Sequence, residues 1–215
     1  MYRTWSCLAL IIAGLSACSD TPPPPPAAPV LTHEDLTARN KEFEPHVVEV
    51  TDGIHVAIGY ALGNSILIEG DDGVIIVDVT ESLETAQAIK TEFDKITTKP
   101  VKAIIYTHNH GDHIFGGPVF AGDDNPEIYA HELTSAAIDK IMSLIRPIIR
   151  KRTYRMFGLH LDEAAVPNAG IGPPLAMREG TTIGLLRPTR TFTDTLDLDI
   201  AGVKLTLMHA PGETD

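Results

Sequence analysis

The sequence predicts an α+β domain that forms the N-terminal half of an αββα sandwich, in which two sheets meet face to face. Short β-rich runs bounded by turn residues alternate with helical patterns from Val47 onward. With 215 residues, of which 43% are hydrophobic and 21% charged, the chain has enough apolar material for one globular domain. Half a sandwich would also leave an apolar sheet face exposed.

Four β-rich runs open the domain, at residues 47–50, 54–60, 64–69 and 74–79. Glycine-containing turn signals separate them, at residues 52–53, 63 and 71–73. Strands joined by such short turns pair with their neighbours in the sequence. The sequence therefore predicts an antiparallel meander.

A helix and a buried strand follow the meander. Apolar side chains recur at helical spacing over residues 82–96, which predicts a helix with Thr80 as its N-cap. Residues 101–106 form an apolar run that predicts a strand ending at a polar loop.

Further strands and a long helix are predicted in the second half of the chain. Residues 127–130 predict a strand, and residues 132–152 predict a helix interrupted near Pro147. Strands 190–192 and 196–200 are predicted as a pair after a loop rich in glycine and proline. A last strand at residues 203–208 leads toward Glu213.

The loop after strand 101–106 carries four potential metal ligands within six residues: His108, His110, Asp112 and His113. In extended backbone, residues two apart point to the same side, so His108 and His110 can converge on one ion. Asp112 and His113 follow where the chain turns and can reach a second ion about 4 Å away. A lone histidine would favour a metal-free polar loop, but this spacing predicts a metal site.

This HxHxDH pattern resembles the signature of the metallo-β-lactamase superfamily. Residues 209–215 resemble the place where the superfamily usually sets another metal-binding histidine, in the frame HxPGH, but Glu213 stands there. A carboxylate is an accepted zinc ligand. Glutamate at this point resembles the alkylsulfatase branch, whose members hydrolyse sulfate esters of fatty alcohols at a two-zinc centre. Residues 61–78 and 152–172 resemble the opening hairpin and the substrate-side insertion of that branch.

The resemblance implies two Zn²⁺ ions, the first held by three side chains and the second by two: His108, His110 and Glu213, then Asp112 and His113. Asp78 would support the ligand loop from behind, although a surface turn aspartate is the alternative. Two such ions lower the pKa of a bridging water toward ~7 and neutralise the oxygens of an anionic ester. Further ligands and the histidine that assists the leaving group would lie beyond Asp215.

The leading hypothesis is an exported alkylsulfatase-like hydrolase of a small anionic ester, represented here by an N-terminal piece that is inactive alone. A second hypothesis keeps the fold but changes the substrate to another ester, a lactone or a lactam, and Glu213 counts against it. A third is a truncated lipoprotein without catalysis. The resemblance also implies a homodimer in the full-length protein.

Residues 1–18 predict a lipoprotein signal peptide. Arg3 precedes an apolar core, and Leu15-Ser16-Ala17-Cys18 resembles a bacterial lipobox, which would place a lipid on Cys18. Serine after the cysteine favours the periplasmic side of the outer membrane, whereas an ordinary cleaved signal is the alternative. The other cysteine, Cys7, also lies in this segment, so no disulfide is expected in the mature domain.

Residues 19–30 are rich in proline and predict a stiff polyproline II linker, which leaves residues 31–215 as the metal domain. The net charge of −12 argues against a nucleic-acid partner, and membrane contact is expected only through the lipid anchor. Five basic residues nevertheless gather between positions 146 and 155. They fit a solvated helix face, with an electropositive rim for an anionic sulfate as the alternative.

Overall fold

The computed structural model describes residues 33–214, which contain six α-helices and nine strands. The helices are α1 (His33–Ala38), α2 (Leu83–Phe93), α3 (Gly111–Ile114), α4 (Gly117–Ala121), α5 (Glu132–Ser143) and α6 (Arg146–Met156). The strands are β1 (His46–Thr51), β2 (Ile54–Ile58), β3 (Ser65–Glu69), β4 (Val74–Val77), β5 (Val101–Ile105), β6 (Glu127–His131), β7 (Arg190–Phe192), β8 (Thr195–Ile200) and β9 (Val203–Met208). Short 3₁₀ helices cover Arg39–Phe43 and Glu163–Ala165.

Strands β1 to β7 form one sheet in sequence order. The first four pair antiparallel, which confirms the predicted meander, and β4 to β7 pair parallel through helical crossovers. Because parallel strands end at the same edge of a sheet, the loops that follow β4 and β5 meet there. This edge brings the segment after Val77 next to the predicted ligand loop.

The two faces of this sheet are covered by different layers. On one face, Ile76 and Ile104 pack in a core with helix side chains that include Ile89 and Phe120. On the other face, Ile75, Ala103 and Ile105 pack against one side of the β8–β9 hairpin. Layers of helix, sheet and sheet confirm the predicted α+β fold class.

The predicted N-cap of α2 is wrong. Ser82, not Thr80, caps the helix, because its Oγ accepts a hydrogen bond from the Thr85 N–H at 3.1 Å. Thr80 lies too early, in a left-handed turn with φ of 64°, and its hydroxyl is hydrogen-bonded to Thr85 Oγ1 at 2.8 Å.

The predicted pairing of the two strands 190–192 and 196–200 is also wrong. β7 pairs parallel with β6 at the edge of the large sheet, where Arg190 contacts the half-buried Glu127 at 2.9 Å, while β8 pairs with β9. A three-residue strand has too little pattern to specify its partner, so the open edge of β6 decided the pairing.

The helix predicted over residues 132–152 is two helices, with the break at Leu144 and Ile145. Pro147 lies in the first turn of α6, where a missing N–H breaks no helical hydrogen bond. The five basic residues of α6 are all exposed, which favours the solvated-face interpretation: Arg146, Arg150, Lys151, Arg152 and Arg155. None of the helices within residues 33–214 combines the length and hydrophobicity needed to cross a membrane.

Candidate metal centre

The predicted ligand loop leaves the sheet edge at the end of β5 and folds at once into the short helix α3. His110 has extended backbone and is the residue before this helix, whereas Asp112 and His113 lie inside it. The change from extended to helical backbone pairs Asp112 with His113 at 3.3 Å, while the His113 ring lies beside that of His108 with centroids 4.1 Å apart. One short segment thus presents ligands in two groups.

The ligand loop packs closely against its neighbours through two glycines. A Cβ added to Gly63 would overlap the carbonyl oxygen of Asp112, and a Cβ on Gly116 would overlap the carbonyl oxygen of Val79. Backbone approaches this close require glycine. They fix helix α3 against both the loop after β2 and the segment after β4.

His108, His110 and Glu213 form the first group. One ligand atom from each lies within 4.8 Å of the others, although Glu213 is more than a hundred residues away in sequence. Glu213 Oε1 is 3.1 Å from His110 Nδ1, and its Oε2 is 3.7 Å from His108 Nε2. Two imidazoles and a carboxylate are a donor set suited to a divalent transition-metal ion.

The hydrogen bonding of His108 leaves the correct nitrogen free for a metal. Its Nδ1 is 2.9 Å from Thr107 Oγ1, whose single hydroxyl proton goes to Asp78 at 2.7 Å, so His108 Nδ1–H is the donor. Among the described residues, His108 Nε2 is a buried atom without a hydrogen-bond partner. This unpaired nitrogen lies close to His110 and Glu213, as a nitrogen that binds a metal ion would.

The pKa of His108 favours the form that binds metals. Burial lowers this pKa, and the neighbouring rings of His113 and His110 lower it further. Metal ions bind neutral imidazole, so the environment prepares His108 as a ligand.

Asp112 and His113 form the second group. His113 Nε2 is 3.3 Å from Asp112, while its Nδ1 donates to Asp78 at 2.7 Å. Burial alone would lower the pKa of His113, but its hydrogen bonds to these two carboxylates outweigh burial and raise it to about 10. A metal ion on Nε2 would therefore displace a proton.

Asp78 is buried and joins the two groups. It accepts hydrogen bonds from the Thr107 N–H at 2.8 Å, the Thr107 hydroxyl at 2.7 Å and His113 at 2.7 Å. This contact pattern differs from that of a surface turn aspartate. It fixes the orientation of both histidine rings, as carboxylates behind metal-binding histidines commonly do.

Comparison with known families decides how this site is classified. Residues 58–215, well over half of the chain, match the family model described as the metallo-beta-lactamase superfamily. The chain belongs to the metallo-β-lactamase superfamily. Membership in that superfamily implies that the site binds divalent metal, which agrees with the donor set around His108.

Two curated relatives that are similar to this chain are named for different activities. A linear primary-alkylsulfatase from Pseudomonas sp. is 40% identical over 154 residues, covering 68% of this chain and 29% of the relative. The 2,4-dinitroanisole O-demethylase subunit alpha from Nocardioides sp. is 38% identical over 129 residues, covering 58% of this chain and 34% of the relative. The chain thus spans about a third of the length of these relatives.

A solved structure supports the metallo-β-lactamase fold. The stereoselective inverting sec-alkylsulfatase Pisa1 from Pseudomonas sp. superposes with a TM-score of 0.69 at 21% identity, covering 76% of this chain and 27% of that one. The recognition of the superfamily and its alkylsulfatase-like branch from sequence motifs is confirmed.

Sequence reasoning missed two residues of this metallo-β-lactamase site. Thr107 orients His108, and its place directly before the first histidine of the motif was the available signal. Glu81 is fully buried behind helix α3, and no local pattern marks it. His209 is not one of the ligands in the first group; it directly follows β9 and stacks on His131 with ring centroids 3.9 Å apart.

Proposed function

We propose that the complete protein is a metal-dependent hydrolase that cleaves alkyl sulfate esters at a centre of two Zn²⁺ ions. The observation that carries this proposal is the position of Glu213, whose carboxylate lies 3.1 Å from His110 and 3.7 Å from His108. A carboxylate at this point is what the resemblance of residues 209–215 to the alkylsulfatase branch implies. The proposal extends beyond this chain, which spans 29% of that relative.

The residues of each group would hold one ion: His108, His110 and Glu213 the first, Asp112 and His113 the second. Bound divalent ions supply Lewis acidity, which lowers the pKa of water and stabilises negative charge on an ester. The two groups contribute only two carboxylates, one from Glu213 and one from Asp112. Against the four positive charges of two divalent ions, these two carboxylates leave net positive charge before the further ligands expected beyond Asp215 are counted, and this charge favours an anionic substrate such as a sulfate ester over a neutral one.

The O-demethylase relative supports a second candidate function, cleavage of an aryl methyl ether. Its identity to this chain is 38%, against 40% for the alkylsulfatase, so overall similarity does not separate the two. The charge of the centre favours the sulfate ester, because a nitroaryl ether is neutral.

A substrate panel with metal analysis tests the proposal. The complete protein without its signal peptide is incubated with dodecyl sulfate, 2,4-dinitroanisole, a β-lactam, a lactone and a phosphodiester, and bound metals are counted by mass spectrometry. We expect two zinc ions per chain and release of sulfate from dodecyl sulfate. Demethylation of dinitroanisole alone would establish the second candidate, and turnover confined to the last three substrates would exclude both.

The Asp112→Ala variant tests the two-ion assignment. Losing this carboxylate should remove one of the two ions and most of the turnover, because it halves the ligands that this chain gives to the second ion and leaves His113. Asp123→Ala, at an exposed aspartate outside both groups, is the matched control and should retain both ions. Unchanged metal content in Asp112→Ala would contradict the assignment.

A further inference from the structure

Glu81 is a fully buried carboxyl group behind the metal centre, in the connection between β4 and α2. A single oxygen, Oε1, accepts hydrogen bonds from two backbone N–H groups, that of Leu62 at 3.2 Å and that of Ala176 at 3.0 Å. Among the described residues, its Oε2 is buried without a hydrogen-bond partner. Burying a carboxyl group with so little compensation is unfavourable and needs a reason.

The two segments that Glu81 binds are far apart in sequence but meet at the ligand helix. Gly63, next to Leu62, lies so close to Asp112 that a Cβ would overlap its carbonyl oxygen, and that Cβ would be 3.3 Å from His113 Cε1. Met177, next to Ala176, places its Sδ 3.8 Å from the Cβ position of Gly111. The two segments therefore contact helix α3 at its first residue and at its metal-ligand pair.

The same two segments also contact each other. A Cβ on Gly172 would lie 3.3 Å from the carbonyl oxygen of Leu62 and 3.4 Å from its side chain. Glu81 is thus the point where the loop after β2, the segment around Ala176 and the start of α2 are joined by hydrogen bonds. Helix α3 has only four residues and cannot hold its geometry by its own hydrogen bonds.

We propose that Glu81 is a positioning residue that clamps the Leu62 and Ala176 segments against helix α3, so that Asp112 and His113 are held in metal-binding geometry. Glu81 makes no metal contact in this arrangement and acts through backbone. The clamp requires one oxygen acceptor and not a charge. Burial raises the pKa of Glu81 to about 7, helped by the charge of Asp112, so a neutral acceptor is suited to this place.

Replacing Glu81 with glutamine or with leucine distinguishes the role of the oxygen acceptor from the role of side-chain size. Glu81→Gln keeps the oxygen that both N–H groups need, whereas Glu81→Leu keeps the approximate size and removes the acceptor. Glu84→Leu, three residues later in the first turn of α2, is the matched control, because Glu84 accepts the Thr182 N–H at 3.0 Å outside the ligand helix. All three are made in the complete protein.

Affinity for Zn²⁺, measured by competition with a chromogenic chelator, is the first readout. Loss of a residue that orients metal ligands typically weakens metal binding about 10- to 100-fold. We expect a loss in that range for Glu81→Leu, together with faster proteolysis near Ala176, and little change for Glu81→Gln and Glu84→Leu. Wild-type affinity in a folded Glu81→Leu variant, or an equal loss in Glu84→Leu or in Glu81→Gln, would overturn the proposal.

Hydrogen exchange of the wild-type protein keeps the proposal testable if Glu81→Leu does not fold. If the hydrogen bonds of Glu81 strengthen metal binding, then bound metal must stabilise those hydrogen bonds by the same free energy. Removing metal with a chelator should speed exchange of the Leu62 and Ala176 amides but not of the Thr182 amide, and unchanged rates would overturn the clamp. The inference rests on the proposed metal site, but neither readout uses a substrate. A wrong substrate would leave both results intact, and a wild-type protein that binds no metal would refute the proposed function itself.

Discussion

Asp78 shows how much of the metal centre depends on one residue outside the ligand set. Its backbone has a φ of 57°, a left-handed conformation that few residues other than glycine adopt. Such strain persists only where surrounding contacts stabilise it. Here the stabilising contacts are the hydrogen bonds to Thr107 and His113, the two residues that orient the metal-binding rings.

Asp78→Asn should therefore weaken metal binding while leaving the fold intact. The asparagine amide would put an NH₂ donor in place of one of the two Asp78 oxygens, which now accept hydrogen bonds from Thr107 and His113, and we expect a loss of affinity of about 10- to 100-fold. Chelator competition measures it. Asp72→Asn, at an exposed aspartate that forms an ion pair with Lys102 at 3.4 Å, is the control. Equal affinities in the two variants would show that Asp78 does not support the ligands.

Glu81 should make the stability of the metal-free protein depend on pH. Its pKa is 4.5 in an ordinary environment and about 7 in the fold, so the folded state binds more protons between these values. Stability is then full below about pH 4.5, falls as the pH rises to about 7, and is lower by about 3 kcal/mol above that. Stability falls as the pH rises because ionisation of Glu81 is unfavourable only when the side chain is buried, in the folded state.

Urea unfolding of chelator-treated protein between pH 5 and 8 checks this prediction. Glu81→Gln cannot ionise, so wild type should lose stability relative to this variant as the pH rises. A difference between the two proteins that stays constant across this range would contradict the raised pKa of Glu81.

At the scale of elements, local sequence signals located most helices and strands, and tertiary contacts decided their ends and partners. The meander follows from alternating apolar residues between short turns, because each strand can pair only with its neighbour. Helix α3 has only four residues, too few for a periodic pattern, and it exists because Gly63 and Gly116 allow close backbone contacts around it.

The start of α2 allows a direct test of capping. Ser82→Ala removes the oxygen that accepts the Thr85 N–H, and loss of an N-cap typically costs about 1 kcal/mol of stability. We expect a lower thermal midpoint. Thr91→Ala, at an exposed position of the same helix, should change the midpoint little. A larger effect at Thr91 than at Ser82 would show that the cap contributes nothing.

At the scale of the whole molecule, the β8–β9 hairpin packs on one face of the large sheet, and its own apolar side chains are half-buried there. The exposed apolar face expected of half a sandwich stays a prediction. The outer side of the hairpin is mostly polar: Thr195, Asp197, Asp199, Lys204 and Thr206. Met208 is the exception and is 68% exposed. Strict alternation along β8 and β9 turns the apolar side chains toward the large sheet.

We propose that the protein is an exported lipoprotein anchored through Cys18, a residue outside the part of the chain that the structure describes. Cys18→Ser should move the protein from the membrane fraction to the periplasmic fraction, because the lipid is attached to this thiol. Cys7→Ser, within the same segment, is the matched control and should remain in the membrane fraction. A Cys18→Ser protein that still fractionates with membranes would contradict the lipid anchor.

The sequence by itself determined the ligand types and the order in which they follow β5, because spacing along one short segment limits which side chains can converge. It also placed Glu213 near them through resemblance to a known motif. Only the tertiary structure decided how His110 and Glu213, 103 residues apart, meet, how Asp78 and Thr107 orient the rings, and that Glu81 is buried behind them. These features depend on burial and on contacts between distant segments, and neither is encoded in local spacing.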